Sequence, residues 1–270
     1  MKINHIKQKE HLEPEFIRRS LGASIFTRNM IYHHRLDSTN RLANDLASQG
    51  AQEGTLVLTE EQSAGRGRLG RSWFSSGYSN LLFSLLLRPQ MQADRVFILT
   101  MILALAASDG AEEICKVKPL IKWPNDLYVG RKKLAGILSE VSTKVKAVEY
   151  VVLGIGLNVN WKPGNQEGLL YPATSLFNET GRMISRNELL IAILKKFEGY
   201  YGDIISGEIA PYYERWNELS AIIGRTIEID AAKEKIRGKA VRINQDGALV
   251  VEDQKGQEQT ILSGDVSVKF

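Results

Sequence analysis

The run VFILTMILALAA, Val96 to Ala107, does most to limit what this chain can fold into. Crossing a bilayer takes ~20 apolar residues, and this run is shorter. It reads instead as a helix buried in a core, within residues 94 to 115. Short apolar segments on either side read as strands. They are GTLVLTEEQ, NLLFSLLLR (80 to 88, a buried one), and then IKWPND, LYV, KKLAGILSE and EYVVLGIGLNVN, separated by turn residues. With 43% hydrophobic and 24% charged residues the balance is that of a globular protein, so a substantial core is possible.

IYHHRLDSTN reads as a strand running into a helix start, because Ser38, Thr39 and Asn40 are all residue types that cap helix N-termini. NRLANDLASQ follows with apolar residues at helical spacing, and residues 187 to 220 return to helix. From Ile222 the pattern changes. IGRTIEI, IRGKAVRI, ALVVED and QTILSGDVSV are short alternating strands, the profile of a small barrel. The expected class is α+β, a mixed β-sheet with packed helices followed by that barrel. The 270 residues divide into an arm over 1–27 with one helix around EPEFIRRSL, a large domain over 28–220 and a small one over 221–270.

A formal net charge of +4 suits an anionic ligand without establishing nucleic-acid binding. One cysteine, Cys115, allows neither an internal disulfide nor a cysteine-based zinc site. The polar N-terminus MKINHIKQKEH lacks the apolar centre of a signal peptide, so a cytoplasmic protein with no membrane partner is expected. The histidines, His5, His11, His33 and His34, all fall early and in no recognisable triad. What remains for chemistry is Arg, Lys, Asp, Asn and glycine. That inventory suits phosphoryl or nucleotidyl transfer, where positioning and charge stabilisation do most of the work.

Two dense stretches hold that inventory. GRGRLGR, Gly65 to Arg71, has Gly65, Gly67 and Gly70 at the dinucleotide-fingerprint spacing and follows a strand. The helix that a pyrophosphate would need does not follow, since RSWFSSGYSN has no helical period. GIGLN (154 to 158) fails as well, with Val159 where a third glycine belongs. Without a helix dipole, an anion can be held by guanidinium forks and backbone N–H groups, and glycines let a loop fold round it. Arg66, Arg68 and Arg71 therefore read as a lid over something anionic or, equally on charge alone, as an exposed arginine-rich loop with a nonspecific RNA role. In KWPNDLYVGRKKLAGILSE (122 to 140), Gly130 and Arg131 read as a two-residue hairpin turn. Val129 then faces Lys132 and Tyr128 faces Lys133. Leu127, Val129 and Leu134 point into a core, while Asp126, Tyr128 and Lys133 share a polar face. By itself, that juxtaposition reads first as a surface ion pair.

Taken together and in this order, DSTN (37 to 40), EEQSAGRGRLGRSWFS (60 to 75), KWPNDLYVGRKKLAGIL (122 to 138) and GIGLNVN (154 to 160) resemble the biotin protein ligases, from about residue 30 to the C-terminal barrel. The resemblance implies a mixed sheet with helices and a small SH3-like barrel. It implies a two-step reaction: biotin and Mg-ATP give biotinyl-5′-AMP and pyrophosphate, and the biotinyl group passes to one lysine of a biotin carboxyl carrier protein. ATP and Mg2+ are the implied cofactors, biotin and the carrier protein the partners, and a monomer or homodimer the assembly. By the same resemblance Ser38, Thr39, Gln62, Arg66 and Arg68 contact biotin or its adenylate. Lys133 bridges the biotin carbonyl and the α-phosphate, Asn158 faces the nucleotide and Mg2+, and Trp73 the nucleotide end. Asn40, Gly65, Gly67, Arg71, Gly136 and Gly156 complete the expected binding set. Lys133, Arg68 and Asp126 are the expected catalytic residues, Asp126 holding cations or accepting the proton of the incoming lysine. Lys269 is a candidate for reaching ATP, and no residue is assigned to a protein-held metal.

Some members of the family carry an N-terminal helix-turn-helix domain. The residues before Ile31 are too few for one, so no sequence-specific DNA binding is expected. Two readings compete. A lipoate–protein ligase or octanoyl transferase shares the general fold, but the arginine loop argues for biotin. A non-enzymatic small-molecule sensor or RNA-binding protein would use the basic loop and leave Lys133 and the hairpin face unexplained.

Overall fold

The structure is a computed structural model describing residues 10–145, 147–162, 172–231, 234–262 and 264–268. Lys269 lies outside the described residues. Helix α1 (Pro14–Leu21) opens on Pro14, where a missing N–H costs nothing. Strand β1 (Asn29–Leu36), helix α2 (Thr39–Ser48), strands β2 (Thr55–Gln62) and β3 (Asn80–Leu87) and the long helix α3 (Phe97–Cys115) follow. Strands β4 (Leu120–Lys122), β5 (Asp126–Val129), β6 (Lys132–Lys144) and β7 (Ala147–Asn158) lead to helices α4 (Leu176–Thr180), α5 (Arg186–Ser206) and α6 (Ala210–Glu218). The chain ends in β8 (Thr226–Ala231), β9 (Glu234–Ile243), β10 (Leu249–Glu252), β11 (Glu258–Ile261) and β12 (Asp265–Val268).

Seven strands form one sheet in the order β1-β2-β3-β7-β6-β5-β4. β1 and β2 run parallel and the other neighbours antiparallel, so the sheet is mixed, as expected. NLLFSLLL shows no polar alternation because β3, in mid-sheet, is covered on both faces. Leu81, Phe83, Leu85 and Leu87 join the core with α3 and α5, while Leu86 packs with Ala43 and Ala47 of α2 on the other face. α3 is buried at every position from Ile98 to Ser108 and packs along α5. Among the described residues no helix is long and apolar enough to cross a membrane.

The last strands make a five-stranded antiparallel sheet in the order β11-β10-β9-β8-β12. This is the small antiparallel unit expected from their alternation, and among the described residues no pairing closes it into a barrel. β11 and β12 lie at opposite edges, no pairing among the described residues joins them, and each is only four residues long. Strands so short leave little free backbone to pair.

This sheet is fastened to the large one. Ile121 donates to the Leu219 carbonyl and accepts from the Ala221 N–H, both at 2.8 Å, so the chain leaving α6 pairs with β4. The buried Trp123 indole donates to the Gly247 carbonyl at 2.9 Å. Elsewhere the entering arm is pinned by Arg186 of α5, which is wholly buried. Its guanidinium bonds the Glu60 carboxylate at 2.6 Å, the Asn80 carbonyl at 3.1 Å and the Glu10 carbonyl, and Glu60 also accepts the Leu12 N–H at 2.7 Å. A charge that deep is tolerable only when partnered in this way. Tyr32 donates to the same carboxylate at 3.0 Å; burial first, and then the Glu60 charge, pushes the phenol pKa upward.

Gly247 sits at φ +77°, and a Cβ there would fall 1.9 Å from Phe97 Cδ1. Gly247→Ala should therefore destabilise the protein by about 2–4 kcal/mol through overpacking and left-handed strain. Thermal unfolding would register this as a drop of several degrees, and an unchanged transition would show that the turn is not packed tightly against Phe97 of α3.

Candidate functional site

A cavity of about 530 Å3 opens on the α2 face of the large sheet. Its floor is backbone. Gly136 of β6 pairs directly with Gly156 of β7, and Gly154 lies two residues along on the same face. A Cβ on Gly156 would come within 2.4 Å of the Trp73 ring, and one on Gly154 within 1.8 Å of Asn40 Oδ1. The glycines of GIGLN thus form a flat stripe rather than a phosphate cradle. The Trp73 indole lies on it, its Nε1 buried and without a hydrogen-bond partner among the described residues.

One end of the cavity is neutral. Ser38 stands at the N-cap of α2 but makes no side-chain capping bond. Gln62, at the end of β2, takes over that task, accepting from the Thr39 N–H at 2.8 Å and the Thr39 hydroxyl at 3.2 Å. This commits Gln62 Oε1 to the helix and leaves its amide donors and the Ser38 hydroxyl for a ligand. Asn40 donates to the Leu138 carbonyl at 3.2 Å and to Glu140 at 2.8 Å, and accepts from Ser84 at 2.7 Å.

The other end is charged. The β5–β6 hairpin has the expected register at its tip, with Tyr128 opposite Lys133 and Val129 opposite Lys132. A bulge then sets Asp126 opposite Gly136. Leu127 and Leu134 are buried as expected. Tyr128, placed by its sequence position on a polar face, is buried too, with the Lys122 ammonium 5.1 Å from its ring centre. Asp126 and Lys133 pair at 2.7 Å with side chains 16% and 23% exposed, so they are not a solvated surface pair. The Lys133 backbone is held by the Pro172 carbonyl at 2.8 Å and the Thr174 N–H at 2.9 Å, and Asn158 donates to the Thr174 carbonyl at 3.0 Å.

The GRGRLGR loop is ordered by its own backbone. Trp73 N–H donates to the Gly65 carbonyl at 2.9 Å, Gly67 N–H to the Arg71 carbonyl at 2.7 Å, and Arg71 N–H to the Arg68 carbonyl at 3.1 Å. From this frame Arg66 pairs with Glu140 at 3.1 Å, Arg68 donates to Asn125 at 3.2 Å, and Arg71 pairs with Asp265 of β12. Burial pushes the Arg68 pKa down while Asp265 and Asp126 oppose it, and a guanidinium stays charged throughout. Burial likewise pushes the neighbouring Lys122 ammonium down.

Ser38, Thr39, Asn40, Gln62, Arg66, Gly67, Arg68, Arg71, Trp73, Asp126, Lys133, Gly136, Gly156 and Asn158 all line the cavity; of the expected set only Gly65 does not. Gly65 serves the turn instead, since a Cβ there would lie 2.4 Å from the Trp73 carbonyl. Sequence reading missed Asn125, Glu140 and Asp265. The first two stood unremarked inside the KWPND and KKLAGILSE segments, whereas Asp265 arrives from the other sheet and carries no local signal.

Residues 32–158 match the model of the biotin/lipoate A/B protein ligase family, and residues 222–269 that of the biotin protein ligase C terminal domain. The bifunctional ligase/repressor BirA of Bacillus subtilis is 35% identical over 264 residues, 97% of this chain and 81% of that protein. The biotin–[acetyl-CoA-carboxylase] ligase of Paracoccus denitrificans is 33% identical over 228 residues, 83% of this chain and 94% of that protein. Among solved structures, the biotin protein ligase of Aquifex aeolicus in complex with biotin and ATP aligns with a TM-score of 0.77 at 30% identity, over 90% of this chain and 99% of the other.

Gly156→Ala should push the indole off the glycine stripe. The expected sign is a red shift of tryptophan emission as Trp73 meets water, with little change in the unfolding transition. An emission spectrum identical to that of the parent protein would mean that the ring does not rest there.

Proposed function

The chain belongs to the biotin/lipoate A/B protein ligase family and stands among its biotin protein ligases; from that premise we propose that it joins biotin to ATP as biotinyl-5′-AMP and passes the biotinyl group to a lysine of a biotin carboxyl carrier protein. The observation that carries this reading is the division of one cavity into a neutral and a cationic end. Biotin is divided in the same way, into an uncharged ring system and a carboxylate. The ring would lie beside the Trp73 indole within reach of Ser38, Thr39 and Gln62, and the carboxylate would meet Lys133 and Arg68.

The first step brings two anions together. A carboxylate oxygen attacks the α-phosphorus, the bond from that phosphorus to the bridging oxygen breaks, and pyrophosphate leaves. Two unit charges 4 Å apart at an effective dielectric constant of 20 repel by about 4 kcal/mol. Arg66, Arg71 and Lys133 each come with a carboxylate, Glu140, Asp265 and Asp126, while Arg68 is bonded to the neutral Asn125. One positive charge is left over to receive an anion, and the other cations exchange partners as phosphate arrives. Mg2+ fits as an ion carried by the nucleotide. Among the described residues no three His, Cys, Asp or Glu gather round a metal site, yet Asp126, Asp265 and Asn158 offer the oxygen donors it takes. Bound there it would neutralise phosphate charge. In the second step the lysine nitrogen attacks the acyl carbon and AMP leaves. Asp126, released as Lys133 turns to the adenylate, takes the lysine's proton. The compartment we assign is the cytoplasm, in keeping with a free, buried cysteine.

Repression of transcription is outside the proposal. Between residue 10 and β1 the described chain has one eight-residue helix, α1, whose Ile17 and Leu21 are buried in the core. The 270-residue chain should give no discrete operator complex in a gel shift with biotinyl-5′-AMP present.

The deciding experiment is isotope exchange between pyrophosphate and ATP, expected with biotin and absent with lipoate; the reverse preference would make the chain a lipoate ligase. Lys133→Met should slow the exchange by about 10²-fold, the scale of losing one well-placed charge contact in a transition state. Arg68→Gly should let the adenylate escape, so that scattered lysines on bystander proteins become biotinylated. Reduced labelling of the carrier alone would mean that Arg68 does not retain the intermediate.

A further inference from the structure

Glu140 does not line the cavity, yet each of its two carboxylate oxygens bonds a residue that does, Arg66 on one side and Asn40 on the other. Oε1 pairs with Arg66 of the glycine loop at 3.1 Å. Oε2 accepts from Asn40 at 2.8 Å and from Asn44 at 3.2 Å, both on α2. Asn40 is nine-tenths or more buried, and its amide is oriented from both sides: the nitrogen also donates to the Leu138 carbonyl, and the oxygen accepts from Ser84. Asn44 ties back to its own helix through the Asn40 carbonyl at 3.0 Å. Beyond Gly136, β6 has lost its pairing with β5 and keeps only β7, where Glu140 stands opposite Val152. The carboxylate thus sits where a free stretch of strand, the first turn of a helix and the first arginine of the loop converge.

We propose that Glu140 is a positioning residue that fastens the arginine loop and helix α2 to strand β6, and so sets how tightly the acid substrate is held. The inference rests on the ligase reading for its substrate but on the three contacts for its geometry. Arg66 is half exposed, so without Glu140 its long side chain would swing in water and the entropy of fixing it would fall on ligand binding. With Glu140 in place the side chain is ordered before the ligand arrives. The effect belongs to the end of the cavity that Asn40 and Arg66 share with Ser38 and Gln62, and so to the acid rather than to the nucleotide.

Glu140→Gln separates the two tasks, because the amide oxygen still accepts from Asn40 and Asn44 while the charge that holds Arg66 is gone. In pyrophosphate exchange it should raise the KM for biotin about three- to ten-fold and leave the KM for ATP within about two-fold, the range set by a partly exposed, charge-assisted contact. The difference from the parent protein should shrink as salt is raised. In an Arg66→Ala background the same substitution should change nothing further, because a contact already broken cannot be broken twice. An equal rise in both KM values, or a full effect persisting beside Arg66→Ala, overturns the proposal. Trypsin cleavage of the ligand-free protein after Arg66, Arg68 or Arg71 should also be faster in Glu140→Gln, and an unchanged rate overturns it too. That second measurement needs no enzymatic turnover, so it decides the role of Glu140 even if the parent protein shows no biotin-dependent exchange and the ligase reading fails.

Discussion

Cations gathered to receive an anion repel one another until it comes. The cavity meets that constraint by giving nearly every cation a resident counter-charge. Arg66 has Glu140, Arg71 has Asp265 and Lys133 has Asp126, and each carboxylate comes from a different strand. The arrangement of the chain follows from this need. The loop must cross from β2 to meet β6, the β5–β6 hairpin must bulge so that Asp126 and Lys133 face the same space, and the second sheet must deliver β12 to the rim. Of these four cations, Arg68 is the one bonded to a neutral amide, that of Asn125.

The same logic governs the far side of the sheet with the opposite outcome. Arg186 and Glu60 are wholly buried and paired, with the arm's Glu10 and Leu12 closing the group. The pair holds the arm and the ends of β2 and β3. Those ends lead into Gln62 and the cavity. A buried pair of this kind adds little net stability over an apolar substitute, but breaking one half of it is costly.

How much could be read beforehand depended on whether the signal was local. The helix at 97–115 was legible because nothing but burial suits so apolar a run, and β3 because a run without alternation belongs in mid-sheet. The hairpin register at Tyr128 and Lys133 followed from a two-residue turn. The burial of Tyr128 did not, because β4 and Lys122 cover it from another part of the chain. Gly65 was assigned to the ligand, yet its neighbour is the Trp73 carbonyl, a contact made only once the loop has folded. Asp265 was invisible for the same reason on a larger scale. The small sheet was legible from its alternation, which reports which face of a strand is covered and not whether the last strand finds the first.

The glycine stripe has a consequence of its own. Gly136, Gly154 and Gly156 present peptide planes held by the hydrogen bonds of two strands. A surface of that kind has no rotamers to freeze when something settles on it, and none to adjust when the shape of the guest changes. Its selectivity is for thinness, and it is written in strand register rather than in side chains. Drift at these positions can only thicken the floor and lift the Trp73 indole that rests on it.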